Sequence, residues 1–277
     1  MHPDALFKLF GRGVYLYGIC IGVGLLACIF CFYYFTKKRG MSQNVQDFCI
    51  AVAVPAIALG FLFAKLFQAI YVWIDTGVFN FYSAGLTVMG GLIGGASCYL
   101  LLYFVCGNLF FKGPLKGVHV VQFKYVLLVA PLCILVAHAF GRIGCLMAGC
   151  CHGTYLGSEY VPGGIYMYGT VEGMHKWGYY IPTQLYESLF LFLTFGALSF
   201  LLIKGFNYIF PVYLGSYAIF RFVIEFLRAD YRGFVEGGLS PSQWQSILFL
   251  VGGVIYFLVL LKLKTPFFDK QVKKISE

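Results

Sequence analysis

The chain has 277 residues, of which 60% are hydrophobic and 11% charged, with a formal net charge of +9. Soluble domains carry about 25% charged residues, so this composition, with a mean hydropathy of +0.82, excludes an ordinary water-soluble fold. A nucleic-acid binder is excluded too, because the basic residues flank apolar runs and form no stripe.

The apolar runs predict an all-α integral membrane fold of about seven transmembrane helices, forming a single polytopic domain over residues 1–277. The expected spans are Val14–Phe35, Phe48–Ile74, Thr87–Phe110, Tyr125–Leu146, Gln184–Leu202, Phe210–Leu227 and Trp244–Leu261. The first ends in Lys37, Lys38 and Arg39, which suit a stop-transfer signal better than a cleaved leader. In the second, Pro55 and Gly60 permit a kink, and Lys65 is an intramembrane charge whose partner the sequence does not give.

Charge placement sets the expected orientation. The loops after spans one, three and five and the C-terminal tail hold Lys37, Lys38, Arg39, Lys112, Lys116, Lys124, Lys204, Lys262, Lys264, Lys270, Lys273 and Lys274. The other side holds Lys8, Arg12, Lys176, Arg228 and Arg232. The imbalance predicts an outer N-terminus and a cytoplasmic C-terminus in a multi-pass membrane protein. The loop at about 150–182 then faces outward. Its Tyr155, Tyr160, Tyr166, Tyr168, Trp177, Tyr179 and Tyr180 suit a lip at headgroup level, with little apolar periodicity. The ten cysteines lie mostly inside apolar runs and do not form a secreted disulfide framework.

The stretch from Ala137 to Gly153, AHAFGRIGCLMAGCCHG, departs from the rest. An arginine at bilayer depth costs about 2.5–3.5 kcal/mol on insertion scales, so Arg142 needs an anionic partner, a wet cavity or a ligand that brings negative charge. Three helices carry polar pairs at helical spacing: His138 with Arg142, Gln184 with Glu187, and Arg221 with Glu225, the last continued by Arg228. Two readings follow. Glu187 and Glu225 neutralise Arg142 and Arg221 in a buried ion-pair network, or the two arginines hold a phospholipid phosphate in a cleft open to the outer leaflet. The C-x4-C-C-H spacing of Cys145, Cys150, Cys151 and His152 matches no standard zinc pattern, and no metal or other cofactor is expected.

At these residues the chain resembles the bacterial prolipoprotein diacylglyceryl transferases. Tyr17-Gly18 is similar to their N-terminal Tyr-Gly pair, and Gly85 to Gly94 to their segment around a His-Gly-Gly. Ala130-Pro131 with the run from Gly141-Arg142-Ile143-Gly144 to Gly149 and Gly153 resembles their central signature. Gln184-Leu185-Tyr186-Glu187 and Arg221 to Phe226 follow in order. The resemblance implies transfer of a diacylglyceryl group from phosphatidylglycerol to the lipobox cysteine of a prolipoprotein, with release of glycerol phosphate. Phosphatidylglycerol or a related phospholipid, the prolipoprotein signal peptide and membrane lipids are the implied partners.

Carried over, Arg142 and Arg221 would bind the phosphate and Glu225 would orient Arg221. Gly90 and Gly91 would let lipid approach, Tyr17 would line the cleft, and Gly144, Gly153, Gln184, Tyr186, Glu187 and Arg228 would belong to the substrate site. The chain also departs from the family. Met89 stands where the family has histidine, and Cys145 and Cys150 stand where its central signature has Asn and Glu, as in a divergent cysteine-containing branch. Methionine accepts no proton, so His138 or His152 is expected to replace the missing base. Two alternatives stay open: transfer to a different acceptor, or a non-catalytic lipid- or lipoprotein-binding membrane protein.

Overall fold

The computed structural model describes residues 4–82, 85–171, 174–228 and 238–263. Arg232, Lys264, Lys270, Lys273 and Lys274 of the charge count lie outside them. A short hairpin, β1 (Phe7–Leu9) and β2 (Arg12–Val14), precedes α1 (Leu16–Lys38), α2 (Gln43–Thr76), α3 (Val88–Phe110) and α4 (Val118–Ala148). Strands β3 (Tyr155–Gly157), β4 (Ile165–Val171) and β5 (Met174–Tyr180) follow. The chain then forms α5 (Thr183–Ile203), α6 (Ile209–Ile224) with a 3-10 turn over Glu225–Leu227, and α7 (Pro241–Leu263). The fold is mostly helical, and among the described residues seven helices are long and apolar enough to cross a membrane by length and composition.

Contacts divide the chain into two compact units. Among the described residues one comprises 4–35 and those from 126 onward, the other 36–125. In the second unit α2 and α3 meet through small residues. A Cβ added to Gly60 would stand 3.2 Å from Gly95 Cα, one on Gly91 3.3 Å from Ala64 Cβ, and one on Gly94 only 2.3 Å from Phe63 Cβ. Glycines four apart form a flat helix face. That face lets two backbones close in a medium where burial of apolar surface gives no driving force. Lys65 of α2 lies over the Phe81 ring at 5.3 Å, which supplies the partner the sequence left open.

Helix α4 begins about two turns before its expected start at Tyr125. The polar residues there are held by an aromatic cluster in the same unit. The His119 ring stacks on Phe111 at 5.4 Å, and Tyr103 donates to His119 O at 2.8 Å. Gln122 accepts from both the backbone N–H and the hydroxyl of Ser42, the residue before α2.

In the first unit the stretch at 150–182 carries a three-stranded antiparallel sheet in the order β3-β5-β4, strands that the sequence reading did not predict. The period-2 signal was carried by aromatics instead of aliphatics. Tyr166 and Tyr168 pair with Tyr179 and Trp177 across β4 and β5, and Trp177 stacks on Tyr166 at 5.7 Å. The alternate residues Met167 and Tyr180 are fully buried against Leu146 at the end of α4. Tyr180 is therefore a core residue, not part of an exposed lip.

Gly94→Val tests the α2–α3 contact. It is expected to destabilise the protein by about 1–3 kcal/mol, the usual range for overpacking a close contact. Thermal unfolding of detergent-solubilised protein reads this as a lowered midpoint, and an unchanged midpoint would show that the helices part without cost.

Candidate functional site

Helix α4 ends in a turn that assembles one half of the site. Cys150 N–H donates to Cys145 O at 3.1 Å and Gly149 N–H to Leu146 O at 3.3 Å, a paired Schellman closure. Gly149 has φ +69°, and a Cβ there would lie 1.9 Å from Tyr168 O, so only glycine fits. The closure folds residue 150 back onto residue 145. Cys151, itself at φ 61°, keeps the chain turning. The three sulfurs of Cys145, Cys150 and Cys151 consequently lie within 4.8 Å of one another. Spacing along the chain spoke against such a group, but the left-handed turn at Gly149 creates it.

Helix α5 holds this turn in place. Gln184 Nε2 donates to Cys150 O at 2.7 Å, and the Thr183 hydroxyl to Cys151 O at 2.9 Å. The following residues thread between two backbones. Gly153 N–H donates to Ile181 O at 2.8 Å and Gly153 bridges to Arg228, while a Cβ on Gly153 would stand 2.4 Å from Leu227 O. Hydrogen bonding among the thiols, with Arg228 and Arg142 nearby, draws the Cys151 thiol far below the usual cysteine range. Hydrogen bonding with Cys145 and Cys151 pushes Cys150 up. Tyr17 of α1 lies within electrostatic reach of all three cysteines and of Arg142, and its ring packs on Gly144, where a Cβ would meet Cδ2 at 3.1 Å.

The other half of the site centres on Glu187, which has no solvent exposure. Its Oε2 pairs with Arg142 Nε at 2.9 Å. Its Oε1 accepts from the Tyr217 hydroxyl at 3.0 Å and stands 3.5 Å from His138 Nε2. Glu187 also lies in the electrostatic field of Arg221. Helical spacing explains the convergence, since His138 and Arg142 share a face of α4 and Tyr217 and Arg221 share a face of α6.

Arg221 forms a second ion pair, with Nη2 2.7 Å from Glu225 Oε2 and donating to Ser242 Oγ at 3.0 Å. The start of α7 completes this pair. Ser240 Oγ donates to Glu225 Oε1 at 2.9 Å and accepts from Gln243 N–H at 3.3 Å. Gln243 Oε1 accepts in return from Ser240 N–H at 2.9 Å. This reciprocal pair is a capping box, with Pro241 at the first helical position. One atom of the arrangement is unspent: Arg221 Nη1 is buried without a hydrogen-bond partner among the described residues.

The structure thus brings together Tyr17, His138, Arg142, Gly144, Gly153, Gln184, Glu187, Arg221, Glu225 and Arg228 within one unit. Tyr186 stands at its edge, its hydroxyl donating to Gly163 O at 3.2 Å. His152 is buried, with Nδ1 2.9 Å from Gly153 O and its ring 4.4 Å from that of Tyr180. Gly90 and Gly91 belong to the other unit. Their near neighbours are side chains of α2, Phe67 for Gly90 and Ala64 for Gly91. Sequence reasoning missed Tyr217, Ser240 and Ser242, and it set the thiols of Cys145, Cys150 and Cys151 aside on their spacing. Tyr217 was findable, four residues before Arg221. The serines lie across an inter-helix segment and carry no such signal.

The family model for prolipoprotein diacylglyceryl transferase matches residues 4–259. A phosphatidylglycerol–prolipoprotein diacylglyceryl transferase of Clostridium tetani is 31% identical, over 91% of this chain and 95% of its own. One so named from Clostridium perfringens is 30% identical over 91% and 93%, and one from Bacillus cereus strain G9842 31% identical over 90% and 89%. A match from Asp4 to Val259 takes in both ion pairs and the thiol turn. The chain therefore belongs to the prolipoprotein diacylglyceryl transferase family.

Proposed function

We propose that this protein is an enzyme of lipoprotein maturation, moving a diacylglyceryl group from phosphatidylglycerol to the lipobox cysteine of a prolipoprotein. The observation that carries the reading is Arg221 Nη1. It is a guanidinium N–H donor held in the protein interior with no hydrogen-bond partner among the described residues. A buried unsatisfied charged donor costs more than the ordinary 1–3 kcal/mol of a neutral one, and a phosphate oxygen would satisfy it. Glu225, Ser242 and Ser240 fix the orientation of that guanidinium, and Glu187 fixes Arg142. The two arginines then grip the lipid phosphate and stabilise the charge that grows on it as glycerol phosphate leaves.

The acceptor thiol must lose its proton. His138 is the proposed acceptor of that proton. With Nε2 turned toward the Glu187 carboxylate, the neutral ring carries its hydrogen there and leaves Nδ1 basic. Tyr17, Gly144, Gly153, Gln184, Tyr186 and Arg228 form the substrate-binding surround. The proposed orientation has the N-terminus outside the cytoplasmic membrane, the C-terminus inside and the site open to the outer leaflet, as the basic residues favour.

Arg142→Lys and Arg221→Lys keep charge but lose the planar fork. Each is expected to lower transfer from labelled phosphatidylglycerol to a lipobox peptide at least tenfold, about 1.4 kcal/mol of transition-state stabilisation. Wild-type rates in both would end the phosphate assignment. His138→Gln preserves size while removing the base, and is expected to cut the rate about a hundredfold and remove the acidic limb of the pH profile. An unchanged rate and profile would make His138 structural and move the proton to His152. For orientation, cysteines placed at Glu159 and Lys176 in a cysteine-free background are expected to react with impermeant reagent from outside. Labelling only from the cytoplasm would overturn the orientation and the outward-facing site with it.

A further inference from the structure

The three clustered thiols are not used by the chemistry above, although they share the unit of Arg142 and Glu187. Tetrahedral zinc holds thiolate sulfurs at about 2.3 Å, which spaces them about 3.8 Å apart. The sulfurs of Cys145, Cys150 and Cys151 already lie within 4.8 Å of one another, so closing on an ion needs shifts of less than about 1 Å each. The scaffold is rigid where the ligands attach. Cys145 lies in the last turn of α4, the Schellman closure fixes Cys150, and Gln184 and Thr183 pin the carbonyls of Cys150 and Cys151. Arg142 and Arg228 lie close enough to Cys151 to offset the negative charge of a thiolate set. Cys150 is exposed, so the group opens to the surface on one side.

Three protein ligands with an open position are the arrangement of a catalytic zinc site, whereas structural sites are closed by four. We infer that Cys145, Cys150 and Cys151 bind Zn(II) and that the acceptor cysteine of the substrate enters as the fourth thiolate ligand. This inference rests on the transfer reading above and supplies what Met89 lacks, because a thiol coordinated to zinc is deprotonated outright.

The step balances without a further reagent. The acceptor thiol coordinates zinc and its proton passes to His138. The zinc-bound sulfur attacks the glyceryl carbon that carries the phosphate, a C–S bond forms and the C–O bond to phosphate breaks. The electron pair leaves on the phosphate oxygen, so glycerol phosphate departs from Arg142 and Arg221. The thioether product is a poor zinc ligand and is released.

The test uses the full-length protein, purified reduced in detergent and titrated with Co(II) in place of zinc. About one Co(II) per chain should bind with a thiolate charge-transfer band, and adding a lipobox peptide should shift the ligand-field spectrum. The same peptide with serine at the acceptor position should leave it unchanged. Cys150→Ser is expected to lose the band and to lower transfer about a hundredfold, the scale of losing activation of a nucleophile, while still binding phosphatidylglycerol as wild type does. That retained lipid binding separates loss of the metal from misfolding. Native zinc content no higher than in the Cys145→Ser, Cys150→Ser, Cys151→Ser triple variant overturns the site. So does a disulfide among the three cysteines in protein purified without reductant, or full transfer activity after chelation. If no lipidated peptide forms but free thiols shift the Co(II) spectrum, the metal site is upheld and the prolipoprotein reading is the one that fails.

Discussion

A carboxylate with no solvent exposure sits where three helices meet, and the rest of this half of the protein is arranged to make that tolerable. An ionised carboxylate alone in such a place would cost several kcal/mol after relaxation. Glu187 of α5 is compensated from two sides, by Arg142 and His138 of α4 and by Tyr217 of α6. Removing any one partner leaves a charge or a donor stranded in a medium that cannot hydrate it. The polar contacts therefore tie α4, α5 and α6 together with a directionality that apolar packing between lipid-exposed helices does not supply. The same contacts leave a guanidinium of known orientation near the end of α4, beside the thiol turn.

The second ion pair shows why an ion-pair network and an anion site are not competing descriptions. Arg221 is neutralised by Glu225 and supported by Ser242, yet among the described residues Nη1 has no hydrogen-bond partner. A pair that satisfied every donor would be a structural element only. A pair that fixes the guanidinium plane through Nη2 and leaves Nη1 unspent suits the phosphate grip proposed above, because its donor is ordered before any ligand arrives. Glu225 in turn is held by a serine that also caps α7, so the start of the last helix and the posture of the arginine are set by one hydroxyl.

What the sequence made legible follows from local periodicity. Seven apolar runs of span length, and pairs four residues apart such as Arg221 and Glu225, are properties of single helices and survive folding unchanged. The partner of Arg142 was a choice between Glu187 and Glu225, and only the packing of α4 against its neighbours decides it. The sheet at Tyr155–Tyr180 escaped notice because its alternation is aromatic against Met167, Gly169, Gly178 and Tyr180, which no apolar pattern picks out. The thiol group was hidden for another reason. Residues 145 and 150 are far apart on an ideal helix surface, and only the left-handed Gly149 folds one onto the other.

The departures from the family pattern gain a physical connection once the geometry is known. Position 89 holds methionine, which accepts no proton, and positions 145 and 150 hold cysteine where the family resemblance implies polar residues. With Cys151 the latter pair forms one compact thiol group, beside Arg142 and Tyr17. A reaction whose nucleophile is a substrate thiol has two general routes to the thiolate: a base that removes the proton, or a cation that makes the thiolate the stable form. On the proposal above, methionine at position 89 and the three-sulfur group favour the second route. His138, oriented by Glu187, keeps a proton acceptor on the same face as Arg142. In the proposed reaction the ion pairs can stay as they are through that change, because their place there is at the phosphate and not at the thiol.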